Sequence, residues 1–235
     1  MATKWAAPQR PNTYAEQTLI NAILNGTYPP GATLPGERAL AAELGVTRPT
    51  LREALQRLAR DGWLTVRQGK ATAVNNFWRD GGLNVLSALV QHGDHLPPNF
   101  VEHLLAVRLQ LAPAYTKAAV VHQPEVAAAQ LAPYEQLADA PGAFAAFDWQ
   151  LHRCLTIASG NPIYTLILNG FADFYETLAQ RYFANPTARV RSRAFYADLA
   201  TAVAHRDAAQ AETLSRTAMQ DSLTLWRETE ERGGG

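Results

Sequence analysis

A single cysteine, Cys154, stands in a chain of 235 residues. No internal disulfide can form, so the fold must rest on its apolar core, and one thiol fits a reducing compartment. Charge of either sign is in no excess. Lys and Arg total 21 and Asp and Glu total 21, a formal net of zero, which over the whole chain argues against a nucleic-acid binder. Long apolar runs are missing too. One long uncharged stretch, Cys154 to Ala172, is broken by SGNP and makes a poor membrane span. The opening MATKWAAPQRPN has no apolar signal core, and the closing ERGGG reads as a frayed tail. No repeat, nucleophile elbow, P-loop, dinucleotide fingerprint, CxxC or HExxH occurs. These absences point to a soluble cytoplasmic protein with no membrane partner, no cofactor, no metal and no catalytic residue, and therefore not to an enzyme.

What is present is uneven. Met1 to Trp78 carries nine Lys and Arg against five Asp and Glu, whereas Arg79 to Gly235 carries twelve against sixteen. A basic front and an acidic back suggest two domains with different partners. With 47% apolar residues, each can bury a core.

In the basic part, Thr13-Tyr-Ala-Glu16 has capping-box spacing, ahead of a helix that Gly26 ends. TYPPGATLP reads as a loop, and GERALAAEL as a second helix stopping at Gly45. A third helix follows in GVTRPTLRE. Thr47 is a good N-cap and Pro49 fits the first turn, where no N–H is needed. Leu51, Ala54, Leu55 and Leu58 repeat at i, i+3, i+4, i+7 and form one buried stripe. Arg48 and Arg52 lie off it, at a helix end that ordinarily attracts acidic residues. WLTV, RQGK and ATAV then read as a hairpin with Gln68-Gly69 near its tip.

Helix, helix, turn, helix, hairpin is the order of a winged helix-turn-helix, whose helix after the turn enters the major groove N-terminus first. The threonines can contact phosphates, the arginines phosphates or the guanine edge, and the basic hairpin tip an adjacent groove or backbone. The plainer alternative is a helical domain with a solvated basic face.

VNNFWRDGGLN reads as a linker. Beyond it no strand alternation appears. Seven helical segments are expected: Leu83–Gln91, Pro98–Val121, Glu125–Ala138, Ala143–Ser159, Asn161–Phe183, Ala188–His205 and Asp207–Glu231. The expected fold is mainly α, a winged helix-turn-helix with a small hairpin wing plus an all-α seven-helix bundle able to hold a ligand between helices. The expected division is residues 1–75 for DNA binding, 76–83 for the linker, and 84–232 for effector binding and dimerisation.

At this point whole blocks carry a resemblance. LPGERALAAELGVTRPTLREALQRLARDGWLTVRQGK resembles the GntR family of bacterial regulators. VNNFW, LNVL, LLAVR, ASGNPIYTLILNG and YFANP narrow it to the fatty-acid-responsive, FadR-like branch. The resemblance covers nearly the whole chain and weakens between about Val121 and Ala140 and after about Arg189. It implies a homodimer on a palindromic double-stranded operator, repressing fatty acid degradation genes and activating genes of unsaturated fatty acid synthesis. Long-chain acyl-CoA, bound by the helical domain, would release the DNA.

Residue by residue, the family's DNA-contact positions fall on Arg38, Thr47, Arg48, Thr50, Arg52 and Gly69, with Gln68 at a wing position that is histidine in the nearest pattern. Pro49 replaces a threonine there. The matching effector positions are Arg108, Tyr196, Ser222 and Trp226, and His152 stands where a phenylalanine lines the family's acyl site. Ala218-Met219 replace a Tyr-Gly pair, Asp221 is one methylene shorter than the family's acid, and Glu231 replaces a lysine.

Asp148 and His152, four apart, share a helix face with the spacing of two metal ligands in related effector domains. The two further ligands of those relatives read here as Tyr196 and Ser222, which leaves too few for a closed site. His152 is therefore expected to pack or hydrogen-bond in the cavity, with Asp148 as the candidate partner, and a GntR regulator sensing a small carboxylate, free or metal-bound, is the alternative. Arg108, on a largely apolar helix, needs a partner: a salt bridge, or through the resemblance an acyl-CoA-linked role. Tyr175 reads as an ordinary core aromatic, and Cys154 as a small buried hydrophobe.

Overall fold

A computed structural model describes residues 11–92, 96–97 and 99–233, with side chains to Thr229. The opening segment, Pro98, the side chain of Glu231 and the last two glycines of the tail lie outside the described residues. The chain divides into two compact units, one running to Leu96 and one from Pro97.

The first unit contains α1 (Pro11–Leu24), α2 (Glu37–Leu44), α3 (Arg48–Arg60), β1 (Leu64–Thr65), β2 (Ala73–Val74), α4 (Phe77–Asp80) and α5 (Asn84–Gln91). Among the described residues helix α1 covers Pro11–Leu24, so Thr13 lies inside it and the capping box expected there is not its start. Leu19, Ile20 and Ile23 of α1 are buried with the Leu51, Ala54, Leu55 and Leu58 stripe of α3, alongside Leu40 and Trp63. Every position of that stripe is at most 4% exposed. Gly45 makes the tight turn between α2 and α3. Its φ is +66° and its N–H returns to the last turn of α2, a left-handed cap that glycine adopts without a Cβ penalty.

β1 and β2 pair antiparallel, Leu64 opposite Val74 and Thr65 opposite Ala73. The segment read as a loop before α2 joins them. Thr33 bridges Ala73, Leu34 N donates to Thr72 O at 2.9 Å and Val74 N to Ala32 O at 2.8 Å. The proline and glycine in PPGATLP hide this from local pattern, because the partner lies about forty residues on.

The second unit is all helical: α6 (Phe100–His122), α7 (Pro124–Leu131), a 3-10 turn (Ala132–Gln136), α8 (Pro141–Ala158), α9 (Pro162–Asn169), α10 (Ala172–Phe183), α11 (Pro186–Ala204) and α12 (Ala208–Gly233). Asn161 and Asn185 cap α9 and α11 with their side chains, each followed by Pro at the first position, as expected for helix starts. The single helix expected over Asn161–Phe183 is two, parted at Gly170-Phe171, where glycine's low helix propensity lets the chain break. Phe144, Leu131, Leu151, Phe183 and Tyr196 are at most 2% exposed and centre the core.

Candidate nucleic-acid interface and effector cleft

Helix α3 begins as the sequence requires. Thr47 Oγ1 accepts from Thr50 N at 3.3 Å and lies 2.8 Å from Thr50 Oγ1, so the two hydroxyls hold the first turn together. Arg48 and Arg52 project from that turn, their side chains 56% and 55% exposed. Both meet one acid. Arg52 Nε donates to Glu37 Oε2 at 2.7 Å, and Arg48 Nη2 lies 3.8 Å from the same oxygen. Glu37 was not singled out from sequence, where it reads as an ordinary first-turn acid of α2. Arg38 is exposed on α2.

At the hairpin tip Lys70 N donates to Arg67 O at 3.2 Å. Gly69, with φ +71°, takes the third turn position, which needs φ above zero. Arg67, Gln68 and Lys70 are exposed there.

The second unit carries a cleft with about 910 Å³ of empty space, part of it open to solvent, walled by α6, α9, α10 and α12. Leucine, isoleucine and aromatic side chains form nearly all of its wall. Its polar residues are Arg108, Asp148, Ser222 and the tyrosine hydroxyls.

Three of the expected effector residues, Arg108, Ser222 and Trp226, line this cleft. The other two stand behind it. Tyr196, fully buried, donates to Asp148 Oδ1 at 3.0 Å. His152, 0% exposed, lies with Nδ1 2.7 Å from the hydroxyl of the cleft residue Tyr115. Its Nε2 is 3.6 Å from Asp148 Oδ1 and has no hydrogen-bond partner.

Asp148 is the hub. Arg108 Nη2 donates to its Oδ2 at 2.6 Å, and the Tyr175 hydroxyl donates to the same oxygen. Tyr175 also lies under the Arg108 guanidinium, 5.6 Å from ring centroid to charge, and it lines the cleft. It is therefore a cleft residue bonded to the Arg108–Asp148 pair, not the ordinary core aromatic that helical spacing suggests. Among the described residues, no group of three or more His, Cys, Asp or Glu side chains is placed to hold a metal ion. Cys154 is partly exposed rather than buried, its Sγ 3.7 Å from Val126 O.

Burial alone would raise the Asp148 carboxyl. The Arg108 charge, with the hydroxyl donors, outweighs it and holds the group well below the usual carboxylate range. For His152, burial and then the Arg108 charge push the imidazole down, so it is neutral in the fold. The unfolded chain takes up that proton near pH 6.5 and the folded chain only at lower pH, so stability falls as pH drops below about 6.5. His152→Phe removes this loss. Its melting temperature is expected to fall less than that of the parent between pH 7.5 and 5, with about 1.4 kcal/mol per pH unit as the ceiling for one proton. Parallel pH profiles would place the proton uptake elsewhere.

Residues 12–74 match the family described as bacterial regulatory proteins, gntR family, and residues 75–232 match the FadR C-terminal domain. The chain belongs to the GntR family. It is a DNA-binding transcriptional regulator with a FadR-type C-terminal domain. Fatty acid metabolism regulator proteins of Edwardsiella ictaluri and Yersinia pestis are each 44% identical to it over 218 residues, covering 93% of this chain and 91% of theirs. A solved structure shares the fold of this GntR protein at 16% identity and a TM-score of 0.63, over 94% of this chain and 98% of that one. It is Lar, which controls the expression of the Listeria monocytogenes agr system. Among the described residues, no helix is long and apolar enough to cross a membrane.

Proposed function

We propose that this GntR protein is an acyl-CoA-responsive regulator of fatty acid metabolism. It represses degradation genes, activates genes of unsaturated fatty acid synthesis, and leaves its operator when long-chain acyl-CoA binds. Residues 1–75 form the reading head, 76–83 the linker, and 84–232 the effector-binding and dimerising part. The protein works in the cytoplasm as a homodimer on a palindromic site, a symmetric protein on symmetric DNA. Arg38, Thr47, Arg48, Thr50, Arg52, Gln68 and Gly69 meet the duplex. Arg108, Ser222 and Trp226 meet the effector, with Tyr196 and His152 supporting the wall behind.

The observation that carries this reading is the apolar cleft in the FadR-type unit. Its largely apolar wall suits a fatty acyl chain, since such sites gain affinity from buried apolar area and orientation from a few polar groups. A small carboxylate is served less well, because Arg108 is already neutralised by Asp148. Ligand and DNA oppose each other through a coupling free energy between two sites, so each weakens the other by the same factor.

Calorimetric titration with oleoyl-CoA below its micelle concentration tests this. One saturable site per chain is expected. Leu168 lines the cleft from α9, a helix with no fully buried residue. Leu168→Glu should therefore keep the fold while weakening binding tenfold or more. Parent-like binding by this variant would move the acyl chain out of the cleft, and no binding by the parent would turn the search to small carboxylates.

A further inference from the structure

In this motif α3 enters the groove N-terminus first, so the chemistry of its first turn decides what it reads. That turn is Thr47 as cap, then Arg48, Pro49 and Thr50. Arg48 and Arg52 bring charge and N–H donors. Pro49 brings neither. It is exposed and stands two residues before Leu51, the first member of the buried stripe, so it lies about 200° around the helix from it. Its ring therefore faces away from the core. Arg52, three residues on, is its neighbour on that face, and Arg48 adjoins it in the chain. A rigid apolar ring is thus set between two arginines.

A helix start ordinarily offers its free amides to a phosphate. Little of that offer is left here. Pro49 has no N–H. Thr50 N donates to Thr47 Oγ1 at 3.3 Å, and Leu51 N donates to Thr47 O at 3.0 Å. The Thr47 and Thr50 hydroxyls lie 2.8 Å apart and hold each other. Pro49 thus removes a phosphate donor and puts an apolar surface in its place. The major groove displays one apolar group, the methyl of thymine. A proline ring meets it with almost no side-chain entropy to lose.

We propose that Pro49 is a specificity-determining residue of this regulator: its ring packs against the methyl group of one thymine in each half-site, beside the bases that Arg48 and Arg52 contact. The contact favours an A·T pair at that position and gains nothing from phosphates, so it raises discrimination and not affinity for DNA at large. It rests on α3 being the reading helix.

The test uses the full chain and a palindromic duplex selected from a randomised pool. Each thymine of the half-site is replaced in turn, in both halves, by deoxyuridine, which removes only the methyl, and binding is read by fluorescence anisotropy. One position should respond, with binding about tenfold weaker for the symmetric pair of changes, the equivalent of one buried methyl in each half-site. In Pro49→Ser the ring is gone, and thymine and deoxyuridine at that position should bind alike. Pro49→Ala keeps one methyl and should keep part of the effect. Thermal melting checks that both variants fold. A proline in a first turn also presets φ, and a purely structural role would lower the melting temperature without touching the deoxyuridine effect. No thymine sensitive to loss of its methyl, or a deoxyuridine effect of the same size in parent and Pro49→Ser, would overturn the proposal. So would equal weakening of Pro49→Ser on selected and scrambled duplex. Failure of the parent to prefer any duplex over scrambled DNA would end the reading of α3 itself, and this proposal with it.

Discussion

Asp148→Ala is expected to destabilise the helical unit by about 3–5 kcal/mol, the range for leaving one partner of a buried ion pair alone. For a unit of this size that is a fall of roughly 6–20 °C in melting temperature. The carboxylate is 6% exposed and the Arg108 side chain 21%, so the stranded guanidinium has little water to turn to. Tyr175 and Tyr196 lose their acceptor in the same substitution, and unpaired buried hydroxyls add to the loss. The pair itself contributes much less than this figure, because burying both charges opposes their attraction. Arg108→Met combined with Asp148→Ala should therefore be more stable than Asp148→Ala alone. Calorimetric melting of the two single variants and the double variant reads this directly. A double variant as unstable as the two singles added together would show that the charges are not coupled.

Arg48→Ala should weaken binding to a palindromic duplex selected from a randomised pool by about 1–3 kcal/mol, the range for one bidentate contact to guanine. Scrambled duplex should be affected much less. Arg48 stands in the first turn of α3 with more than half its side chain exposed, at the helix end that enters the groove in this motif. Fluorescence anisotropy on both duplexes separates the two roles an arginine can play. Equal weakening on both, with a salt slope smaller by about one, would make Arg48 a phosphate contact.

The reading head was legible because its signals are local. Thr47, Pro49 and the Leu51-to-Leu58 stripe fix α3 within a dozen residues, and Gly45 and Gly69 mark its flanking turns. The effector cleft was only half legible. Arg108 demanded a partner on any helix so apolar, but that partner, Asp148, is forty residues away. From sequence Asp148 was visible only as half of a metal-like spacing with His152. Tyr175 gave no signal at all, since an aromatic at helical spacing reads as core whether or not its hydroxyl has a charge to meet. Glu37 was missed for a similar reason. An acid in a first turn explains itself, and nothing local shows that it faces two arginines of the next helix.

That placement of Glu37 has a kinetic side. Its carboxylate holds both Arg48 and Arg52 on the free protein, and on the proposed reading a duplex displaces it to reach them. An exposed pair of this kind contributes about 1 kcal/mol or less, too little to stop a contact that also gains base hydrogen bonds. It is enough to trim the residence of the protein on random sequence, where only phosphates reward the exchange. A regulator searching a genome of competing sites is then held less long at each wrong one.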